Sequence, residues 1–178
     1  MKRRRASIDL VDVIVHLAIF LIIIAFLVPS FSRARNNARR ASCQLNQKQI
    51  ILALWQYAED NNGISPGRDW VTLVSPYVKE GEIFRCRSKG SAQGKSDYFF
   101  NARFLKREFE AIKKPETLVL LGDGNDDSPL MQPPALWLKD EYSSAWRHLG
   151  GANYGFADGH IKWFKANRIN RDFRMVMP

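Results

Sequence analysis

Leu17 to Val28 contains no polar side chain, and Val13 to Val28 contains only His16. With Ile8, Leu10 and Val11 in front, the stretch approaches the ~20 apolar residues that a bilayer-spanning helix needs. Lys2-Arg3-Arg4-Arg5 precede it, as in a secretory signal. Val28-Pro29-Ser30-Phe31 offers no small-x-small cleavage site, and helix-compatible sequence continues beyond it, so the segment is expected to stay with the chain. Four basic residues flank each end (Lys2 to Arg5; Arg33, Arg35, Arg39 and Arg40), so charge counting gives no orientation. Asp9, Asp12 and His16 are spaced to share one helix face near the first boundary. Ionisable groups at that depth are costly unless partnered. Three readings stand: an Asp12–His16 pair, a contact from Asp12 to a neighbouring chain, or placement of all three at headgroup level.

Beyond Pro29 the pattern turns two-sided. Cys43, Ile50, Leu54 and Tyr57 recur at helical spacing with Gln44, Gln47, Lys48 and Gln56 between them, and Asp60-Asn61-Asn62-Gly63 is a good helix stop. One helix of about fifty residues is expected, apolar first and amphipathic later. The remaining chain, a little over a hundred residues, suffices for one modest core.

In that remainder, Trp70 to Tyr77 reads as a short helix closed at Pro76, and Ser88 to Lys95 as a loop. Thr117 to Leu121, between Pro115 and Gly122, reads as a buried strand, with a loop from Gly122 to Pro134. Asp158-Gly159 between alternating strands reads as a two-residue hairpin turn, setting Phe156 opposite Ile161 and Tyr154 opposite Trp163. The expected class is α+β: a long N-terminal helix packed on a small antiparallel sheet containing 117–121, 152–157 and 160–165.

The N-terminal run Ser7-Ile8-Asp9-Leu10-Val11-Asp12 and the later Pro29 resemble the prepilin-type segment of type IV pilins and type II secretion pseudopilins. Ser7 falls at the Gly before the cleaved bond, Ile8 at the first mature residue, Asp12 at the Glu and Pro29 at the proline within the helix. Ala38-Arg39-Arg40-Ala41-Ser42-Cys43, Tyr57 to Gly63, and His148 followed after nine residues by Asp158-Gly159 are similar to the subset that ends in a processing-associated domain. The resemblance implies a leader (1–7) with a peptidase site at Ser7 and Ile8, and a membrane half of the helix (8–31). An amphipathic half (32–62) and a globular head (63–178) follow. It also implies inner-membrane anchoring with the N-terminus cytoplasmic and the head periplasmic, and a structural role in a pilus-type or secretion filament. The implied partners are other pilin-like subunits, membrane lipid and prepilin peptidase. Asp12 would then neutralise the terminal amine of an adjoining subunit.

The net charge is +9, with a third basic group at Lys162, Lys165, Arg168, Arg171 and Arg174. The basic runs suit lipid headgroups and a solvated face. The alternative function is a tethered module that never polymerises and binds nucleic acid or an acidic polysaccharide.

Cys43 and Cys86 permit a disulfide worth about 4 kcal/mol by chain entropy if the domain is exported, or else serve as buried thiols. Asp123, Asn125 and Asp127 alternate like the opening of a calcium loop, but Ser128 and Pro134 occupy positions that need Gly and Glu. Calcium is therefore the one cofactor the sequence raises, on a weak pattern. His148, Asp158 and His160 invite an acid–base or metal reading, yet hairpin geometry accounts for the spacing. With no nucleophile motif, phosphate loop or paired-cysteine zinc pattern, no enzymatic role is expected.

Overall fold

The computed structural model describes residues 10–88, 96–124, 130–131 and 146–165. The chain divides into two compact units, Met1–Asn37 and Ala38–Pro178. Helix α1 (Leu10–Asp60) contributes to each.

In the first unit α1 has no core to join. Every described residue as far as Asn37 is exposed, including Phe20 at 58 % and Phe26 at 75 %. Pro29 lies inside the helix, where its ring removes one backbone donor. This part of α1 is long and apolar enough to cross a membrane, judged by length and composition.

In the second unit α1 becomes part of a core. Cys43, Gln47, Ile50, Ile51, Ala53, Leu54 and Ala58 are buried, a stripe with the spacing of one helix face. Burying Ile50, Ile51 and Leu54 contributes about 1.5–3 kcal/mol each. Burial starts at Cys43, so residues 32–39 are exposed like the preceding turns although they were expected on the amphipathic half. Gln47 stands four residues after Cys43 and three before Ile50, and it is fully buried. The sequence reading placed it among the polar spacers.

The helix ends where expected. The Gly63 N–H donates to the Ala58 carbonyl at 2.7 Å, with Asn62 at φ 56° and Gly63 at φ 76°. This is a Schellman-type stop, made cheap by the tolerance of Asn and Gly for left-handed backbone. Helix α2 (Trp70–Val74) and a 3-10 turn (Ser75–Tyr77) match the predicted short helix. Trp70 is wholly buried, its ring 5.8 Å from that of Phe84 and 5.9 Å from that of Phe100.

Five strands follow: β1 (Tyr98–Asn101), β2 (Val119–Asp123), β3 (Leu130–Met131), β4 (Gly151–Phe156) and β5 (Ile161–Lys165). Their order is β3-β1-β2-β4-β5. β1, β2, β4 and β5 are antiparallel neighbours, and the two-residue β3 adds to β1 in parallel. The class is α+β, a long N-terminal helix against a small antiparallel sheet.

Three details differ from expectation. β1 was not anticipated. β2 is displaced two residues towards the C-terminus because Thr117 is held in a turn, its N–H and Oγ1 both donating to the Lys114 carbonyl. The expected loop from Gly122 accordingly contains Gly122 and Asp123 in β2 and the whole of β3.

The hairpin register is the third correction. Gly155 pairs with Ile161, Tyr154 with Lys162 and Asn153 with Trp163, one residue away from the predicted pairing. Gly159 alone takes positive φ (85°), and the Phe156 N–H donates to the His160 carbonyl. The connection is therefore the three-residue Ala157-Asp158-Gly159, not a two-residue turn with both members left-handed. The slip separates the expected aromatic pairs: Tyr154, Phe156 and Phe164 pack together, and Trp163 lies beneath Arg40 of α1.

Candidate functional site

Two regions carry the residues singled out from sequence. In the first unit, His16 Nδ1 donates to the backbone carbonyl of Asp12 at 2.6 Å, one helical turn back. The intrahelical partnership thus involves the Asp12 main chain. Ser7, Ile8 and Asp9 lie outside the described residues, as does the Lys2–Arg5 run.

The second region is a buried polar cluster where α1 meets the sheet. Asp123, at the end of β2, is fully buried. Its Oδ1 accepts from Gln47 Nε2 at 3.0 Å and its Oδ2 from the Asn153 N–H at 2.6 Å. The Arg147 guanidinium lies 3.5 Å from Oδ1, and His148 Nε2 lies 3.6 Å from Oδ2. Burial raises the Asp123 pKa, while Arg147 and His148 pull it down. Arg147 also donates to the carbonyls of Asp97 (2.6 Å) and Gly124 (2.8 Å), so its charge is held by several acceptors.

Of the calcium-loop pattern, Asp123 faces the interior, and Asn125 and Asp127 lie outside the described residues.

Cys43 and Cys86 converge on the same cluster from α1 and from the segment after the Gly81–Phe84 turn. Both are buried and both are free thiols. The Cys86 N–H donates to Asp97 Oδ2 at 2.7 Å, and Cys86 Sγ lies 3.4 Å from His148 Nε2. The Sγ atoms of both cysteines and a ring nitrogen of His148 all lie within 4.8 Å of one another. The hydrogen bond between the thiols lowers the pKa of Cys86 and raises that of Cys43, with His148 and Arg147 further favouring a Cys86 thiolate against burial. Burial, then the neighbouring cysteines, raises that of Tyr98.

His148 is itself buried. Its backbone exchanges hydrogen bonds with Gly151, and its carbonyl accepts from Trp163 Nε1 at 2.8 Å. Asp158 and Gly159 occupy the opposite end of the strand. The Asp158 carboxylate accepts from the His160 backbone N–H at 3.1 Å and lies 2.6 Å from His160 Nδ1. The Gly159 carbonyl accepts from Lys48 Nζ at 2.6 Å. A side chain at Gly159 would meet Trp55 and Lys48 within 3.0 Å, so the close approach and the positive φ both favour glycine. His148, Asp158 and His160 therefore do not form one site. His148 belongs to the interior cluster and the Asp-Gly turn docks on α1.

Sequence reading named Cys43, Cys86, Asp123 and His148 separately but did not unite them, and it missed Gln47, Asp97, Arg147 and Asn153. The one signal for Gln47 was its place in the apolar stripe.

Residues 32–85 match a family described as a protein of unknown function (DUF1559; SBP_bac_10). No curated protein and no solved structure matches the chain.

Proposed function

We propose that this protein is a membrane-anchored, pilin-like structural subunit of a type II secretion or type IV pilus-type filament, without a catalytic role of its own. The observation that carries the reading is α1, one helix from Leu10 to Asp60 whose beginning is apolar and exposed and whose end is built into a folded head. Leu10 to Val28 spans about 28 Å at 1.5 Å per residue, close to the ~30 Å hydrocarbon thickness of a bilayer. Exposed Phe, Ile and Leu side chains over that length call for lipid or the apolar helices of other subunits. The residues 32–85 that match the family of unknown function cover the continuation of that helix into the head. In the proposed arrangement the head is extracytoplasmic, and Asp12 supplies the charge that selects a neighbouring subunit.

The test is Asp12→Ala in the full chain. The variant is expected to fractionate with membranes as the parent does, while cysteine-independent crosslinking between subunits is lost. Undiminished crosslinking would remove Asp12 from assembly. Recovery of the intact parent in the aqueous fraction would remove the anchor. The N-terminal mass of the mature protein shows whether cleavage occurs between Ser7 and Ile8.

A further inference from the structure

We propose that Cys43, Cys86 and His148 form a buried binding site for one thiophilic divalent cation of the zinc class, which fastens α1 to the head. The three side chains come from distant parts of the chain, and each is at most 3 % exposed. Their ligand atoms nevertheless share one region, all within 4.8 Å of one another. Around a tetrahedral zinc with bonds of about 2.3 Å to sulfur and 2.0–2.1 Å to nitrogen, neighbouring ligand atoms stand about 3.5–3.8 Å apart. The 3.4 Å between Cys86 Sγ and His148 Nε2 fits that edge.

Asp123 Oδ2 lies 3.6 Å from the same nitrogen, beside the three ligands but outside the mutually close group. Its hydrogen bonds from Gln47 and Asn153 hold it there, next to the His148 ring. Two thiolates would balance a divalent cation, the Asp123 carboxylate is set against the Arg147 guanidinium, and the buried Asp97 carboxylate has Arg85 4.0 Å away. That balance matters in a low-dielectric core.

Two sulfurs and an imidazole select a soft or borderline ion over calcium or magnesium, whose ligands are oxygens. The surrounding burial marks a structural site rather than one open to substrate. The proposal is independent of filament assembly, because every group lies in the unit from Ala38 onward.

The experiment uses the full chain purified in mild detergent without chelator or reductant. Elemental analysis is expected to find zinc at roughly one ion per chain. Replacement by Co(II) is expected to give intense tetrahedral d–d bands together with thiolate-to-metal charge transfer. His148→Gln is expected to lower affinity for added zinc by at least about tenfold, whereas His148→Cys, which restores a ligand, retains the ion. A Cys43–Cys86 disulfide in metal-free protein would overturn the proposal. So would two free thiols in a chain that takes up neither zinc nor Co(II). Should His148→Gln fail to fold, the Co(II) spectrum of the parent decides alone, since charge transfer requires bound thiolate.

Discussion

The packing of the hairpin on α1 rests on a position where almost nothing fits. A methyl group added at Gly155 would overlap Ile51 Cδ1 severely and approach Ile161 Cδ1 to 3.0 Å, while Ile51 Cγ1 would lie at an ordinary 3.6 Å. Ile51 is completely buried, so its terminal methyl has no solvent to swing into. Gly155→Ala is therefore an overpacking change, expected to cost about 2 kcal/mol within the usual 1–3 kcal/mol. Ile51→Val removes only the overlapping carbon and should cost about 1 kcal/mol alone. Independent sites would sum to about 3 kcal/mol. If the overlap is the cause, the double variant should instead cost about 1 kcal/mol, a coupling of about 2 kcal/mol. At roughly 2–4 °C per kcal/mol for a chain of this size, Gly155→Ala lowers Tm by about 4–8 °C, and adding Ile51→Val restores part of that loss. Thermal unfolding of the four proteins in detergent, followed by near-UV circular dichroism, reads the cycle. Additivity within about 0.5 kcal/mol would refute the reasoning, because the two side chains would then not compete for one space.

Gln47→Leu removes the donor that reaches Asp123 Oδ1 and should destabilise by about 1.5–3 kcal/mol, as expected for a hydrogen bond to a buried charge. Chemical denaturation checks it, and an unchanged midpoint would show that Asp123 does not depend on this partner. Burial and the Asp123 charge raise the Tyr154 pKa, with Arg147 acting in the opposite direction. The sign follows: this contribution to stability is complete below the unfolded phenol value near pH ~10 and falls by up to about 1.4 kcal/mol per pH unit as pH rises beyond it. Tyrosinate absorbance should therefore rise together with alkaline unfolding. Tyr154→Phe should move that midpoint upwards, and an unmoved midpoint would refute the assignment.

The legible parts of the fold are those fixed by local periodicity and local backbone preference. The apolar run, the stripe from Cys43 to Leu54 and the Asn62-Gly63 stop each needed only neighbouring residues. β1 was not legible because Tyr98-Phe99-Phe100 has no alternation. All four of its residues are buried, and a short continuous apolar run does not announce a strand. The hairpin was recognised but its register missed, since Asp-Gly suits both a two-residue turn and the bulged three-residue form. The choice shows only in Asp158, which is absent from the residues with positive φ. The polar cluster was least legible. Gln47, Asp123 and Asn153 are joined by hydrogen bonds spanning 76 and 106 positions, and side-chain contacts at such separations leave no local pattern.

The interval of nine residues between His148 and Asp158 has a physical reading in these contacts. Strand β4 occupies six of the intervening positions, about 20 Å at 3.3 Å per residue. On α1, Cys43 and Trp55 are twelve residues apart, about 18 Å of helix. Contacts between the two elements rise in step. His148 shares the interior cluster with Cys43, and Asn153 meets Gln44 and Gln47. Gly155 faces Ile51, and Gly159 reaches Lys48 and Trp55. The strand thus lies alongside the helix over matched lengths, with a buried imidazole at one end and a glycine turn at the other. Adding or removing one residue between them would turn every β4 side chain beyond the change to the opposite face. Gly155 would leave Ile51, and either His148 would lose Cys86 or the Gly159 carbonyl would lose Lys48. The spacing is therefore a condition for both ends to dock at once, although His148 and the Asp158-Gly159 turn lie at opposite ends of β4.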